Sequence, residues 1–238
     1  MRGLGRLISK IAYKLAYQVK KKGLTSKIID LAEVQTYLGA REFEKIDSVN
    51  YGGAGIVNGL AYAEYEGEGS MGSVLPIEVS YSAGKGNLEL TGNLGDTMQE
   101  SVKVALAYIK EEKNCQKFGI SSSFFQNHDL LINVHESGIL KDGPSAGIAL
   151  TTAIISALTK KIIPRHYGMT GVISLSGKVS KIGGLNEKLT AAVKKGLKTV
   201  FVPSDNQREL EEVPSKIKNK LNVILVNDYF LDVWKKFR

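Results

Sequence analysis

The spacing of hydrophobic residues changes near residue 51, and this change constrains the fold more than any other feature of the chain. Residues 4–22 place apolar side chains at helical spacing with lysines between them, which predicts an amphipathic helix that ends at Gly23. A second helix is predicted over 28–38, stopping at Gly39. Because two helices of this length cannot form a stable core alone, they resemble the end of another domain.

Beyond Tyr51 the pattern predicts short strands interspersed with helices. The predicted strands cover 56–63, 74–81, 88–92, 130–134, 171–175, 179–182, 199–202 and 223–226. The predicted helices cover 98–110, 146–158 and 186–195, with a polar helix after Ser204 and another at the C terminus. Since strands and helices do not alternate strictly, the sequence predicts an α+β domain of mixed sheets over 46–238, preceded by a short helical segment at 1–40.

The net charge of +8 is confined to the N terminus. Residues 1–29 carry eight Lys and Arg side chains and no acidic one, so the remainder holds 24 basic and 24 acidic residues. A basic segment of this kind is compatible with weak DNA or polyphosphate binding, with a membrane surface, with organelle targeting, or simply with a solvated helix face. No stretch approaches the roughly 18 apolar residues of a membrane span, and one cysteine, Cys115, cannot form an internal disulfide.

The segment from Lys141 to Gly147 combines a serine with small neighbours at the predicted start of a buried helix. Pro144 suits a first helical turn, and Gly143 and Ala146 leave space around Ser145. Free N–H groups at such a helix end could stabilise an oxyanion. The alternative is an ordinary turn in which Asp142 or Ser145 caps the helix, and the spacing alone favours that alternative.

A nucleophilic serine needs a base, and two types of residue could supply it. His128, His135 and His166 are the histidines of the chain, and none is flanked by a recognisable motif. Lys188 is the other candidate, because burial and a helix N-terminus would both favour its neutral form. A surface lysine in an exposed first turn is the ordinary interpretation of such a residue.

These two segments resemble the catalytic motifs of the Lon proteases. Residues 141–147, Lys-Asp-Gly-Pro-Ser-Ala-Gly, are similar to the catalytic-serine motif of the A-type members, and Gly183-Gly184-Leu185 with Glu187-Lys188 and Ala191-Ala192 is similar to their catalytic-lysine motif. The resemblance extends over 35–238. It is weaker at 131–137 and at Leu140, and Val172 stands where a glutamate is common.

The resemblance implies a serine endopeptidase that acts through a Ser-Lys dyad and an acyl-enzyme, with Ser145 as nucleophile and Lys188 as general base. Thr170 would orient the lysine, Asp142 would be structural or regulatory, and Gly143, Pro144 and Ala146 would form the oxyanion loop.

The resemblance also implies that residues 1–40 are the last helices of an AAA+ ATPase module, with Arg2 at the position of its sensor arginine. The chain has no phosphate-loop motif, so it is expected to need no cofactor itself, whereas ATP and Mg would serve the full-length parent. The expected substrates are unfolded or damaged proteins, the expected assembly is a hexamer, and the expected location is the cytoplasm, or the mitochondrial matrix in a eukaryote. The alternative is an inactive Lon-like binding module with a polyanion-binding N-terminal segment.

Overall fold

The computed structural model describes residues 2–23, 28–38, 52–65, 69–135 and 141–238. It divides into two compact units, one formed by residues 1–47 with 64–70 and the other by residues 48–63 with 71–238. Within the described ranges, no helix has both the length and the apolar character needed to cross a membrane.

The first unit contains helices α1 (Arg2–Lys22) and α2 (Leu31–Leu38). Gly23 ends α1 in the left-handed conformation (φ +64°), as the sequence predicts. The second helix begins three residues later than predicted, because the Asp30 carboxylate accepts a hydrogen bond from the Glu33 amide and so caps the helix at residue 31. Gly39, its predicted end, lies outside the described residues.

The two helices of this unit are joined by polar contacts around one buried tyrosine. The Tyr37 hydroxyl donates to the Gln18 side chain at 2.8 Å, and the Lys14 amine donates to the Tyr37 carbonyl. Lys14 therefore places its charge at the C-terminal end of α2, where the helix dipole favours a cation.

A mixed seven-stranded sheet forms the centre of the second unit, in the order β3-β4-β2-β1-β5-β8-β9. Its strands are β1 (Ile56–Tyr65), β2 (Gly69–Ala83), β3 (Leu88–Thr91), β4 (His128–Val134), β5 (Tyr167–Met169), β8 (Thr199–Pro203) and β9 (Asn222–Val226). The short strands β6 (Val172–Ile173) and β7 (Val179–Ser180) form a separate antiparallel pair. Strand β5 pairs in parallel with both β1 and β8, whereas β2 and β4 are antiparallel.

Helices cover both faces of the sheet. They are α3 (Asp96–Lys110), α4 (Glu112–Phe118), α5 (Phe124–Asn127), α6 (Gly147–Thr159), α7 (Leu185–Lys194), α8 (Gln207–Glu212) and α9 (Ser215–Lys218). In β8, Phe201 belongs to the core cluster that contains α3 and α6, and Val200 and Val202 belong to the cluster that contains α7. A strand buried on both faces is expected to be largely apolar, which explains the apolar run at 200–203 after Thr199. The predicted α+β class is confirmed.

The predicted strands at 171–182 and the predicted C-terminal helix have a different form in the structure. The strands predicted over 171–175 and 179–182 shorten to β6 and β7, because only these residues pair. The predicted C-terminal helix is instead a π-helical turn (Tyr229–Val233) followed by a 3-10 turn (Trp234–Phe237). Because a π turn is wider than an α turn, it brings Tyr229 and Trp234, five residues apart, to the same core.

Candidate active site

The segment that carries Ser145 is anchored to the connection between β3 and α3. Lys141 is buried, and its amine donates to the Gly92 carbonyl at 2.8 Å. Its backbone amide donates to the Asn93 carbonyl at 3.1 Å, and its carbonyl accepts from the Gly95 amide at 2.9 Å. Three hydrogen bonds from a single residue therefore fix the start of the loop.

Asp142 continues this attachment by capping helix α3. One of its carboxylate oxygens accepts from the amides of Met98 and Gly143, both at 2.9 Å, and the other accepts from the Thr97 hydroxyl at 3.2 Å. Although partial desolvation of the carboxylate opposes the effect, these hydrogen bonds together lower the pKa of Asp142. The structure therefore gives Asp142 a holding role between the serine loop and α3.

Ser145 lies in a 3-10 turn (Pro144–Ala146) that leads directly into α6. Its carbonyl accepts two hydrogen bonds, from the Gly171 amide at 2.8 Å and from the Thr170 hydroxyl at 3.2 Å. Thr170 and Gly171 follow the carboxyl end of β5, so the central sheet positions the serine through its backbone.

Lys188 approaches Ser145 from the first turn of α7. Its side chain is fully buried, and its Nζ atom lies 3.0 Å from Ser145 Oγ and 3.2 Å from Thr170 Oγ1. Burial lowers the pKa of Lys188 from 10.5 to about 8, since a low-dielectric environment disfavours the ammonium ion. The structure thus brings together the serine, lysine and threonine that the sequence singled out.

Tyr62 is a site residue that the sequence analysis missed. It lies on β1, and the centroid of its ring is 5.6 Å from Lys188 Nζ. The same ring packs against the backbone of Gly183 and Gly184, immediately before α7. No sequence signal distinguishes a partly exposed tyrosine in a strand from the other tyrosines of the chain.

The histidines engage other partners. His128 stacks on Phe124 at a centroid distance of 4.0 Å, and His166 packs against Tyr167. His135 Nε2 lies 2.8 Å from the Glu78 carboxylate, so this histidine does have an acidic partner, which the sequence did not reveal. Among the described residues, the hydrogen bond to the Ser145 hydroxyl comes from Lys188.

Other predicted ligand-binding features have less support in the structure. Arg2 begins α1, and its side chain lies outside the described part of the chain. In the ranges that the structure describes, no three His, Cys, Asp or Glu side chains are grouped as metal ligands.

The family is established by comparison with known proteins. Residues 28–236 match the model of the Lon protease (S16) C-terminal proteolytic domain, so the chain belongs to this family. It is 45% identical over 236 residues to the Lon protease of Mycoplasma genitalium and 43% identical over 229 residues to that of Mycoplasma mycoides subsp. mycoides. The Lon protease of Trichlorobacter lovleyi is 41% identical over 228 residues.

The alignments span nearly all of this chain and a minor part of each relative. The alignments cover 96–99% of this chain but only 27–29% of those proteins. The chain therefore spans less than a third of the length of the relatives it matches.

Proposed function

We propose that this chain hydrolyses peptide bonds as a serine endopeptidase domain, with Ser145 as the nucleophile and Lys188 as the general base. The observation that carries the proposal is the 3.0 Å separation between the serine hydroxyl and a fully buried lysine amine. With a pKa of about 8, roughly one lysine in ten is neutral at pH 7, which is enough to supply a base.

The geometry supports a two-step reaction. In the neutral form of Lys188, the Ser145 hydroxyl donates to Nζ, and the oxygen attacks the scissile carbonyl as its proton passes to the amine. The lysine then returns this proton to the departing amine, leaving an ester between Ser145 and the acyl part of the substrate. Water attacks the ester with Lys188 again as base, and the serine regains its proton when the acid product leaves.

Backbone amides at the start of α6 would stabilise the tetrahedral intermediate. Pro144 has no N–H, and the Gly143 amide donates to Asp142, so neither is directed at a substrate in this conformation. The Ala146 amide closes the 3-10 turn Pro144–Ala146, which leaves the Ser145 amide as the donor of residues 143–146, and the dipole of α6 adds to its effect.

The proposal extends to the activity of the longer protein that contains such a domain. We propose an ATP-dependent Lon-type protease that degrades unfolded or damaged proteins, assembles as a hexamer and acts in the cytoplasm. The support is the family membership together with the bacterial Lon proteases that the chain resembles. ATP and Mg would act on the AAA+ module of the parent, whose last helices we assign to residues 1–40, with 46–238 as the proteolytic domain.

A second proposed function, polyanion binding through residues 1–29, is favoured by the surface of α1. Tyr13 and Tyr17 are mostly exposed, and Arg6, Lys10 and Lys21 lie near them at helical spacing. Aromatic rings alternating with cations are suited to DNA or polyphosphate. Replacing Arg6, Lys10 and Lys21 with Gln should weaken binding and reduce the slope of its salt dependence, whereas salt-insensitive binding by the wild-type chain would contradict an electrostatic site.

The test of the peptidase proposal is a set of three variants assayed on a short fluorogenic peptide. Ser145→Ala and Lys188→Gln should each abolish hydrolysis and leave the circular dichroism spectrum unchanged. Replacing His128, His135 and His166 together should leave hydrolysis largely intact, because the geometry supports a base other than histidine.

The result also separates the enzyme from an inactive binding module. A folded wild-type chain that neither cleaves the peptide nor reacts with a peptide boronate at Ser145 would favour the binding module. Loss of activity in a folded triple-histidine variant would contradict the dyad.

In the active protein, kcat/KM should rise with pH up to about 8, because only neutral Lys188 accepts the serine proton.

A further inference from the structure

The loop that delivers Lys188 to the site is held by one buried asparagine. Asn206 is fully buried and lies at the end of the 3-10 turn Ser204–Asn206 that follows β8. Its side-chain oxygen accepts from the Ile182 amide at 3.0 Å, and its side-chain nitrogen donates to the Ile182 carbonyl at 2.9 Å. The backbone amide and carbonyl of Ile182 are therefore both hydrogen-bonded to one side chain, as they would be to a neighbouring strand.

The hydrogen bonds of Asn206 continue to the protein surface. Its side-chain nitrogen also lies 2.8 Å from the Glu209 carboxylate, which forms an ion pair with Lys181 at 2.6 Å. These contacts hold Lys181 and Ile182, which directly precede the Gly183-Gly184 turn. The buried amide thus has partners for both its oxygen and its nitrogen, which makes its orientation unique.

The other side of the Gly183-Gly184 turn is also constrained. Gly184 adopts a positive φ of +66°, its carbonyl accepts from the Lys188 amide at 3.0 Å, and the Tyr62 ring leaves no room for a side chain there. The turn is therefore confined between the asparagine contact at Ile182 and the aromatic ring. If the backbone at Ile182 moved, the first turn of α7, which carries Lys188, would move with it.

Strand β8 connects this asparagine to the rest of the site. The Phe201 carbonyl of β8 accepts from the Thr170 amide at 3.1 Å, and Asn206 follows three residues after the end of the strand. One strand thus fixes both Thr170, which contacts the lysine amine, and the asparagine that holds the lysine loop.

We propose that Asn206 is a positioning residue for the reaction, which keeps Lys188 buried and within reach of Ser145 by clamping Ile182. This role rests on the proposed function, because it acts through the lysine base. Asn206 touches neither the reacting atoms nor the lysine itself, so its effect is exerted through the backbone of 182–184.

Two substitutions test the proposal in the full chain. Asn206→Ala removes all three hydrogen bonds, and Asn206→Leu removes them while keeping the same branched side-chain shape, so that a second variant without a cavity is available if the alanine form is unstable. Asn114→Ala is the matched control, because Asn114 is also buried and donates to the Tyr108 carbonyl and to Glu111, away from the lysine loop.

The first measurement is the titration of Lys188 by NMR, using protein labelled at lysine Cε. The Lys188 signal is assigned as the one that is missing from the spectrum of Lys188→Gln. Burial lowers the pKa of Lys188, and among the described residues Tyr62 is the titratable side chain that faces the amine from a packed element. Loosening the loop should let water reach the amine, so both Asn206 variants should raise the pKa of Lys188. Asn114→Ala should leave this titration unchanged even where it lowers the melting temperature.

The second measurement is peptide hydrolysis against pH. Both Asn206 variants should lose activity on the order of 100-fold at pH 7, with KM nearly unchanged, and the deficit should shrink as the pH approaches the raised pKa. A purely structural role would lower activity by one factor at every pH. If the pKa of Lys188 in the folded Asn206 variants equals that of the wild type, the proposal is overturned. This NMR result does not depend on catalysis, so it remains valid even if an active Lys188→Gln variant refutes the dyad.

Discussion

The aromatic ring of Tyr62 covers the amine of Lys188, with 5.6 Å between the ring centroid and Nζ. Tyr62 is 38% exposed, whereas Lys188 is fully buried, so the tyrosine separates the lysine from solvent. An aromatic face attracts an ammonium ion, but the exclusion of water acts in the opposite direction. The lowered pKa of Lys188 indicates that the exclusion of water is the stronger effect.

Tyr62→Ala should therefore raise the pKa of Lys188 above its value of about 8. Because the neutral amine is the proposed general base, the acidic limb of kcat/KM should move to higher pH, and activity near pH 7 should fall. Tyr62→Phe preserves the ring and should retain the wild-type profile. An alanine variant with an unshifted pH profile would show that other residues shield the Lys188 amine from water.

Replacing the buried lysine with methionine should stabilise the fold at neutral pH. The folded-state pKa of Lys188 is depressed from 10.5 to about 8, so between these values the unfolded chain binds more protons and stability rises with pH. Below pH 8 the full free-energy cost of burying the charged amine is present, roughly 3 kcal/mol for a pKa shift of this size. Urea unfolding of Lys188→Met and the wild type should differ most at pH 7 and converge near pH 10.5. A constant difference across this range would contradict the assigned burial cost.

Thr170 should contribute to catalysis through its hydroxyl group. The oxygen lies 3.2 Å from Lys188 Nζ, and the hydroxyl donates to the Ser145 carbonyl. Thr170→Val removes both contacts at nearly constant volume and should lower kcat on the order of tenfold. Thr170→Ser keeps the hydroxyl and should recover most of the rate. Equal activity of the valine and serine variants would remove Thr170 from the mechanism.

Asp142 should matter for stability more through its oxygen acceptors than through its charge. Asp142→Ala leaves the Met98 and Gly143 amides without their acceptor, so it should lower the melting temperature and reduce activity by loosening the serine loop. Asp142→Asn retains one acceptor oxygen and should be milder in both respects. The comparison requires thermal unfolding together with the peptide assay, and an alanine variant as stable as the wild type would be incompatible with the capping role.

Local pattern predicted most of the elements that support the site. The apolar run at 146–158 corresponds to α6, which begins at Gly147 after a 3-10 turn, and the run at 199–202 corresponds to β8. Helices α4, α5 and α9 and strand β5 were not anticipated. Strand β5 has three residues, too few for a periodic signal, and it is a strand because β1 and β8 pair with it.

The sequence by itself determined which residues are the candidates for the chemistry, because the serine loop and the lysine helix are contiguous motifs whose resemblance to the Lon proteases can be recognised locally. Tertiary structure alone decided that Ser145 and Lys188, 43 residues apart, meet at 3.0 Å. It also decided that the lysine lies beneath Tyr62 and that Asn206 holds its loop. A pKa depends on the water and charge around a group, and here those surroundings come from residues distant in the chain, which no local pattern encodes.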